Sequence, residues 1–264
     1  MKSKFVIGAG MPKAGSTSLF HFLADSHLFR IFESKESNFL KNDNFLMSEY
    51  VKIFKDHSAL FSDKPFFEIT PSYIFDEVFF KNLKHFDPEE TFVFLVLRDP
   101  ILRTLSHYVH DLRLGECAYL PGDFIALENI TTTDYFRYSK FADFIEPFRA
   151  LPFGKIYLLQ EIEENNGAGL IEDIRQKFFS TTTATSFAEQ FGKLPPNNGT
   201  GLVPFVTRVD SDTRVVLNGD QLDVVAGTYI LERELVPYGY QYEMILPMSE
   251  EHKLGLDRLV SISG

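Results

Sequence analysis

Short apolar runs punctuate the first two thirds of the chain. Lys4 to Ala9, Phe66 to Ile69, Thr91 to Leu97 and Lys155 to Leu159 read as strands, Lys4 to Ala9 as a short buried one and Thr91 to Leu97, apolar, β-branched and aromatic, as one buried on both faces of a parallel sheet. Between them the apolar residues fall at helical spacing, as Leu19, Phe22 and Leu23 within Ser16 to Ser26, and as Leu170, Ile171, Ile174 and Phe178 within Leu170 to Phe179. Ser48 to Phe54 and Asp76 to Phe86 also read as helical, and Pro100 suits the first turn of a helix running through Leu112. This alternation predicts an α/β fold, a parallel central sheet flanked by helices. From about residue 180 the pattern dissolves: Leu194 to Gly201 reads as loop, and Val224 to Leu235 fits either strand or helix. No repeat, low-complexity tract or linker divides the chain, so residues 1–264 are expected to form a single domain with an irregular C-terminal region.

Charge narrows the functional classes. The 26 Lys and Arg against 37 Asp and Glu leave a net charge of −11, the wrong sign for a general nucleic-acid or anionic-membrane footprint. Any anion bound here must be held locally. Cys117 is the one cysteine, which excludes an internal disulfide framework and a cysteine-rich zinc site and suits a reducing compartment, with the cytoplasm as the expectation. The longest apolar run, Phe92 to Leu97, falls far short of the roughly 18 residues of a spanning helix. Lys2-Ser3-Lys4 followed by Phe5 to Met11 superficially resembles a leader, but the glycines and Pro12-Lys13 make a first strand the expectation. The 28 Phe and no Trp predict a phenylalanine-rich core.

The strongest local signal is Gly10-Met11-Pro12-Lys13-Ala14-Gly15-Ser16-Thr17-Ser18, lying between a buried strand and a helix. A turn of this kind aims unpaired amides and the positive end of a helix dipole at one point, which suits a phosphate or sulfate group. The dipole supplies only about 0.3 to 1 kcal/mol, so a cation must add to it, and Lys13 stands inside the loop. Gly10 and Gly15 match the glycine spacing of the nucleotide-triphosphatase loop, but Ser16 occupies the position of its lysine. The second element is Leu97-Arg98-Asp99-Pro100-Ile101-Leu102-Arg103-Thr104-Leu105-Ser106-His107-Tyr108. It places Arg98 at the carboxyl end of a buried strand, where ligands of open α/β sheets collect. Asp99, just after that strand, is the candidate for the magnesium carboxylate that a kinase would require, but Arg98 immediately before it points elsewhere.

Together the two segments resemble the sulfotransferase superfamily that uses 3′-phosphoadenosine 5′-phosphosulfate. The resemblance implies a P-loop-like sulfotransferase fold and no metal. Lys13, Ala14, Gly15, Ser16, Thr17 and Ser18 match the 5′-phosphosulfate loop, with Lys13 on the transferring sulfuryl group, and Arg98 and Ser106 match the 3′-phosphate motif. Ser34-Lys35-Glu36-Ser37-Asn38-Phe39 and Glu68-Ile69-Thr70-Pro71-Ser72-Tyr73 resemble segments of heparan-type and bacterial carbohydrate sulfotransferases. By that resemblance Glu36 is the general base on the acceptor hydroxyl, and Lys35 a substrate or sulfuryl contact. Ile69 stands where that group has a second lysine and Leu40 where it has an aromatic residue, so acceptor geometry does not carry over. The branch acting on small phenols and steroids uses a histidine base instead, for which His21, His27 and His107 are the candidates. Lys193-Leu194-Pro195-Pro196-Asn197-Asn198-Gly199-Thr200 and Arg208 are similar to a later loop that closes the nucleotide site, with Lys193 or Arg208 reaching the 3′-phosphate.

The expected activity is sulfuryl transfer from the phosphosulfate donor, leaving adenosine 3′,5′-bisphosphate, to a hydroxyl of a carbohydrate or similar polar acceptor. The rivals are a P-loop kinase of unusual type and a non-catalytic nucleotide-binding protein on the same fold. Tyr119, Phe124, Tyr135, Phe136 and Tyr138 are candidates to stack on sugar rings or to pack a core.

Overall fold

A computed structural model describes residues 3–32, 34–54, 63–114, 134–195, 205–208, 214–217, 230–234 and 241–245. Its contacts cluster into two compact units, Met1–Arg98 with Ala142–Pro195, and Asp99–Phe141 with Pro196–Gly264.

The first unit is built on five parallel strands, β1 (Phe5–Gly10), β2 (Arg30–Ile31), β3 (Phe66–Ile69), β4 (Thr91–Leu97) and β5 (Gly154–Leu158), in the order β2-β3-β1-β4-β5. Every residue of β1, β3 and β4 is buried, as the apolar runs of β1 and β4 predict; β3 buries Glu68 as well, and β5 leaves Lys155 and Leu158 exposed. Phenylalanine dominates the packing: the Phe5 ring lies 5.3 Å from that of Phe66 and 4.9 Å from that of Phe86. Each buried aromatic of this kind contributes about 1.5 to 3 kcal/mol of transfer free energy. Helix α1 (Ser16–Ala24) buries Leu19, Phe20, Phe22 and Leu23, and Phe20 stacks on Phe67 of β3.

The chain leaves β1 toward β2 and β3 and later returns to lay β4 on the other side of β1. The carboxyl ends of β1 and β4 therefore flank the point where strand order reverses, the place where open α/β sheets bind ligands. Gly10 suits the close approach of neighbours there. A Cβ on it would lie 2.8 Å from Leu95 Cδ1 and 3.2 Å from the Pro71 carbonyl.

The strand and helix expectations hold with shifted ends. Ser48 to Phe54 divides into α2 (Met47–Tyr50) and a 3₁₀ turn, and Asp76 to Phe86 into α3 (Glu77–Asn82) and another such turn. Asp76 caps α3 by accepting from the Val78 amide at 2.8 Å.

In the second unit, α4 (Pro100–Leu114) packs against α5 (Asp134–Arg137). Arg103 of α4 is wholly buried, donating from Nε to Ser139 Oγ at 2.5 Å and from Nη2 to the Tyr135 carbonyl. Phe205–Arg208 pairs antiparallel with Arg214–Leu217, and Ile230–Glu234 with Gln241–Ile245. The open reading at Val224 to Leu235 thus resolves to strand over Ile230–Glu234. Among the described residues no helix is long and apolar enough to cross a membrane.

Candidate active site

The loop between β1 and α1 closes through its backbone. The Met11 amide donates to the Val96 carbonyl at 3.1 Å, and the Ala14 amide to the Met11 carbonyl at 3.1 Å. Lys13 and Gly15 adopt left-handed backbone angles, φ 67° and 76°. Glycine meets this at no steric cost, whereas for lysine it is strained backbone that the surroundings must hold. Gly15 precedes the first turn of α1, where no side chain caps the helix and no acidic residue sits. The positive end of the helix is left without a built-in counter-charge.

A second lysine reaches this helix start from elsewhere in the sequence. Lys35 Nζ lies 3.2 Å from Thr17 Oγ1 and 3.4 Å from Ser16 Oγ. Ser16 is the residue that replaces the lysine of the triphosphatase loop, so charge missing from the loop at that position arrives from the segment after β2. Lys35 also pairs with Glu36, Nζ to Oε1 at 2.7 Å, and the two side chains are 17% and 41% exposed. Lys35 therefore joins the start of α1 to Glu36, the carboxylate expected as base.

Arg98 completes the set. Leaving β4, it is buried and donates from Nη1 to the Lys13 carbonyl at 3.0 Å. Two segments far apart in sequence thus meet directly. The carboxyl of Glu163, on the helix Leu159–Glu164 after β5, is pushed up by burial while the Arg98 charge acts against that shift. Asp99, in the second unit, serves as a helix cap: its Oδ1 accepts from the Leu102 amide at 2.8 Å.

The described structure thus brings Lys13, Ala14, Gly15, Ser16, Thr17, Ser18, Lys35, Glu36 and Arg98 to one region of the first unit. Ser106 lies half-buried on α4 in the second unit. Lys193 is exposed, on a segment pinned by Asn166, whose side chain bonds the Leu194 amide at 2.6 Å and the Gly192 carbonyl at 3.1 Å. Arg208 lies opposite Arg214 in the second unit's Phe205–Arg208 strand. Of the histidines, His21 and His27 are exposed, whereas His107 is half-buried, 3.8 Å from Asp111 and in ring contact with Tyr135 and Tyr138. Tyr119 and Phe124 lie outside the described residues. Among the described residues no group of three or more His, Cys, Asp or Glu side chains is placed to hold a metal ion.

One residue of this region escaped the sequence reading. Glu68, in the interior of β3, is fully buried and is surrounded by donors: Tyr50 Oη at 2.6 Å, Tyr73 Oη at 2.9 Å, Thr70 Oγ1 at 3.0 Å and the Ser37 amide at 3.2 Å. Burial pushes its carboxyl up, the hydrogen bonds opposing, and holds the Tyr50 and Tyr73 phenols above their ordinary range. The available signal was a single carboxylate inside the apolar Phe66 to Ile69 run, since unpaired charge is excluded from such a strand.

No family model matches the sequence, and no curated protein does. Among solved structures, the fold is similar to a sulfotransferase from Alicyclobacillus acidocaldarius, with a TM-score of 0.54 at 16% identity over 70% of this chain and 83% of that one. At that identity the likeness establishes the fold, an all-parallel α/β sheet of the sulfotransferase type.

Proposed function

We propose that this chain is a sulfotransferase that moves a sulfuryl group from 3′-phosphoadenosine 5′-phosphosulfate to a hydroxyl of a carbohydrate or similarly polar acceptor, acting as one domain. The observation that carries this reading is Lys35 Nζ at the Ser16 and Thr17 hydroxyls. It sets a second ammonium at the open end of α1 beside the loop that holds Lys13, in a chain of net charge −11. An uncapped helix start with cations arriving from separate segments fits a polyanion such as a phosphosulfate.

The donor supplies the sulfuryl group and departs as adenosine 3′,5′-bisphosphate. Lys13, Lys35 and the amides of residues 15–18 would hold the 5′-phosphosulfate and offset the negative charge that grows during transfer. Single donors of this kind are typically worth about 10² to 10³ in rate. Arg98, with Ser106 and with Lys193 or Arg208, is assigned to the 3′-phosphate. Glu36 is assigned the acceptor proton, an effect of about 10² to 10⁴ in rate for general bases.

Calorimetry with adenosine 3′,5′-bisphosphate and adenosine 5′-phosphate, alongside transfer assays on polysaccharide acceptors, tests the reading. Preferred binding of the bisphosphate together with transfer is the expected result. Indifference to the 3′-phosphate, or magnesium-dependent turnover of ATP, would overturn it in favour of a kinase. Donor binding without transfer to any hydroxyl would leave a nucleotide-binding protein.

A further inference from the structure

A carboxylate buried in a β-strand usually needs a reason, because each donor it engages must be supplied by the surrounding fold. The donors around Glu68 have a common destination. Ser37 gives its amide to Glu68 Oε2, while its Oγ lies 3.0 Å from Tyr73 Oη. The Asn38 amide reaches Thr70 Oγ1 at 3.4 Å, and the Leu40 amide reaches Tyr73 Oη at 3.2 Å. Thr70 and Tyr73 are themselves tied to Glu68. At the near end, the Ile69 amide donates to the Lys35 carbonyl at 3.3 Å. The backbone of residues 35–40 is thereby fastened to the end of β3 at successive points, with Glu68 at the centre.

That segment carries strain. Lys35 and Asn38 both adopt left-handed angles, φ 66° and 53°, a conformation that a lysine adopts at greater cost than an asparagine. Such conformations persist where neighbouring structure over-determines them, and the Ser37 amide, between the two, is bonded to Glu68. The segment's business end is Lys35 Nζ at Ser16 and Thr17, paired with Glu36.

We propose that Glu68 is the positioning residue of the site: by holding the Ser37 amide and the Thr70 and Tyr73 hydroxyls it fixes the backbone that aims Lys35 at the start of α1 and sets Glu36 beside it. The inference rests on the functional reading above for what Lys35 and Glu36 do, and on the hydrogen-bond geometry alone for how they are held. Gln at position 68 retains the volume but replaces one acceptor oxygen by a donor, so it cannot satisfy all the groups that Glu68 accepts from.

The test has two arms on the full chain. In the first, amide hydrogen exchange compares wild type with Glu68→Gln. Exchange at Ser37, Asn38 and Leu40 should quicken by about tenfold or more, while amides of β1 and β4 keep their protection. Unchanged protection at Ser37 and Asn38 overturns the proposal. In the second, kcat and donor KM are measured for Glu68→Gln, Lys35→Ala and the double variant. Glu68→Gln should lower kcat on the order of tenfold, and should add clearly less than that, about threefold or less, once Lys35 is gone, because part of its effect runs through that residue. Effects that simply multiply would show a general structural role and overturn the proposal. Should Glu68→Gln lose protection in β1 and β4 as well, Thr70→Val removes a smaller part of the same network and must show the same pattern. A wild type with no sulfuryl transfer would defeat the functional reading, and the exchange arm would still decide whether Glu68 orders the segment.

Discussion

Arg98 Nη1 donates to the carbonyl of Lys13 at 3.0 Å, tying the carboxyl end of β4 to the loop that follows β1. The bond falls where the strand order reverses, and it fixes the left-handed backbone of the residue that carries the loop's charge. Arg98 therefore supports the loop, and the ligand contact proposed for it must be separated from that support. Its planar fork has donors enough for both.

Arg98→Ala should weaken binding of adenosine 3′,5′-bisphosphate by about 1.5 to 3 kcal/mol if a charge-assisted bond to the 3′-phosphate is lost. Adenosine 5′-phosphate should lose less, about 0.5 to 1.5 kcal/mol, the ordinary worth of the bond to the Lys13 carbonyl. Titration calorimetry with both ligands separates the parts. Equal losses would show that Arg98 only supports the loop.

Lys13→Ala and Lys35→Ala should each depress sulfuryl transfer while leaving the thermal midpoint within a few degrees of wild type, because neither ammonium fills a core. Lys13→Ala should be the more severe. Lys35→Arg should retain much of the activity, since charge rather than shape is what reaches Ser16 and Thr17. A Lys35→Ala variant with normal turnover would remove the second lysine from the site.

The fold was legible where burial leaves a repeating trace. The apolar runs of β1, β3 and β4 and the helical spacing of Leu19, Phe22 and Leu23 each encode the sheet directly. Arg30–Ile31 is too short to carry a period, and Pro147 inside Ala142–Arg149 conceals that helix. At the site, Lys13, Ser16 and Arg98 could be read because glycine spacing and a strand end mark their surroundings. The meeting of Lys35 with Ser16 could not, since it depends on how a loop without periodicity folds over the ends of β2 and β3. Glu68 was visible as an anomaly, but its partners Tyr50 and Ser37 are remote in sequence and appear only in three dimensions.

Burial raises the Glu68 carboxyl above the ordinary range, so the folded state holds that proton more tightly than the unfolded chain. The contribution to stability is fully present at pH below the ordinary carboxylate value of about 4.3 and is lost as pH rises through the higher folded value. The difference in thermal midpoint between wild type and Glu68→Gln should therefore shift against wild type as pH increases above about 4.3, since only wild type must ionise a buried group. Thermal melts of both proteins across that window check the sign. A difference that moves in wild type's favour would mean that the four donors outweigh desolvation.

Glu36 is the residue on which the assignment of the acceptor side turns. Its side chain is 41% exposed and engaged at 2.7 Å by Lys35, so one ion pair links Glu36 to the lysine beside Ser16 and Thr17. If Glu36 takes the acceptor proton, Glu36→Gln keeps the size of the side chain but cannot accept that proton, and kcat should fall by at least about 10²-fold. Affinity for adenosine 3′,5′-bisphosphate should remain close to wild type, because loss of the Glu36 charge does not remove Lys35 from the helix start. The rival bases are tested in the same assay with His21→Asn, His27→Asn and His107→Asn. His21 and His27 are exposed, and His107 is packed against Tyr135 and Tyr138, so each of these variants should stay within about threefold of wild-type kcat on energetic grounds that leave the Lys35 and Glu36 pair intact. An active Glu36→Gln beside an inactive histidine variant would transfer the base to that histidine and move the acceptor side away from the segment that Glu68 holds.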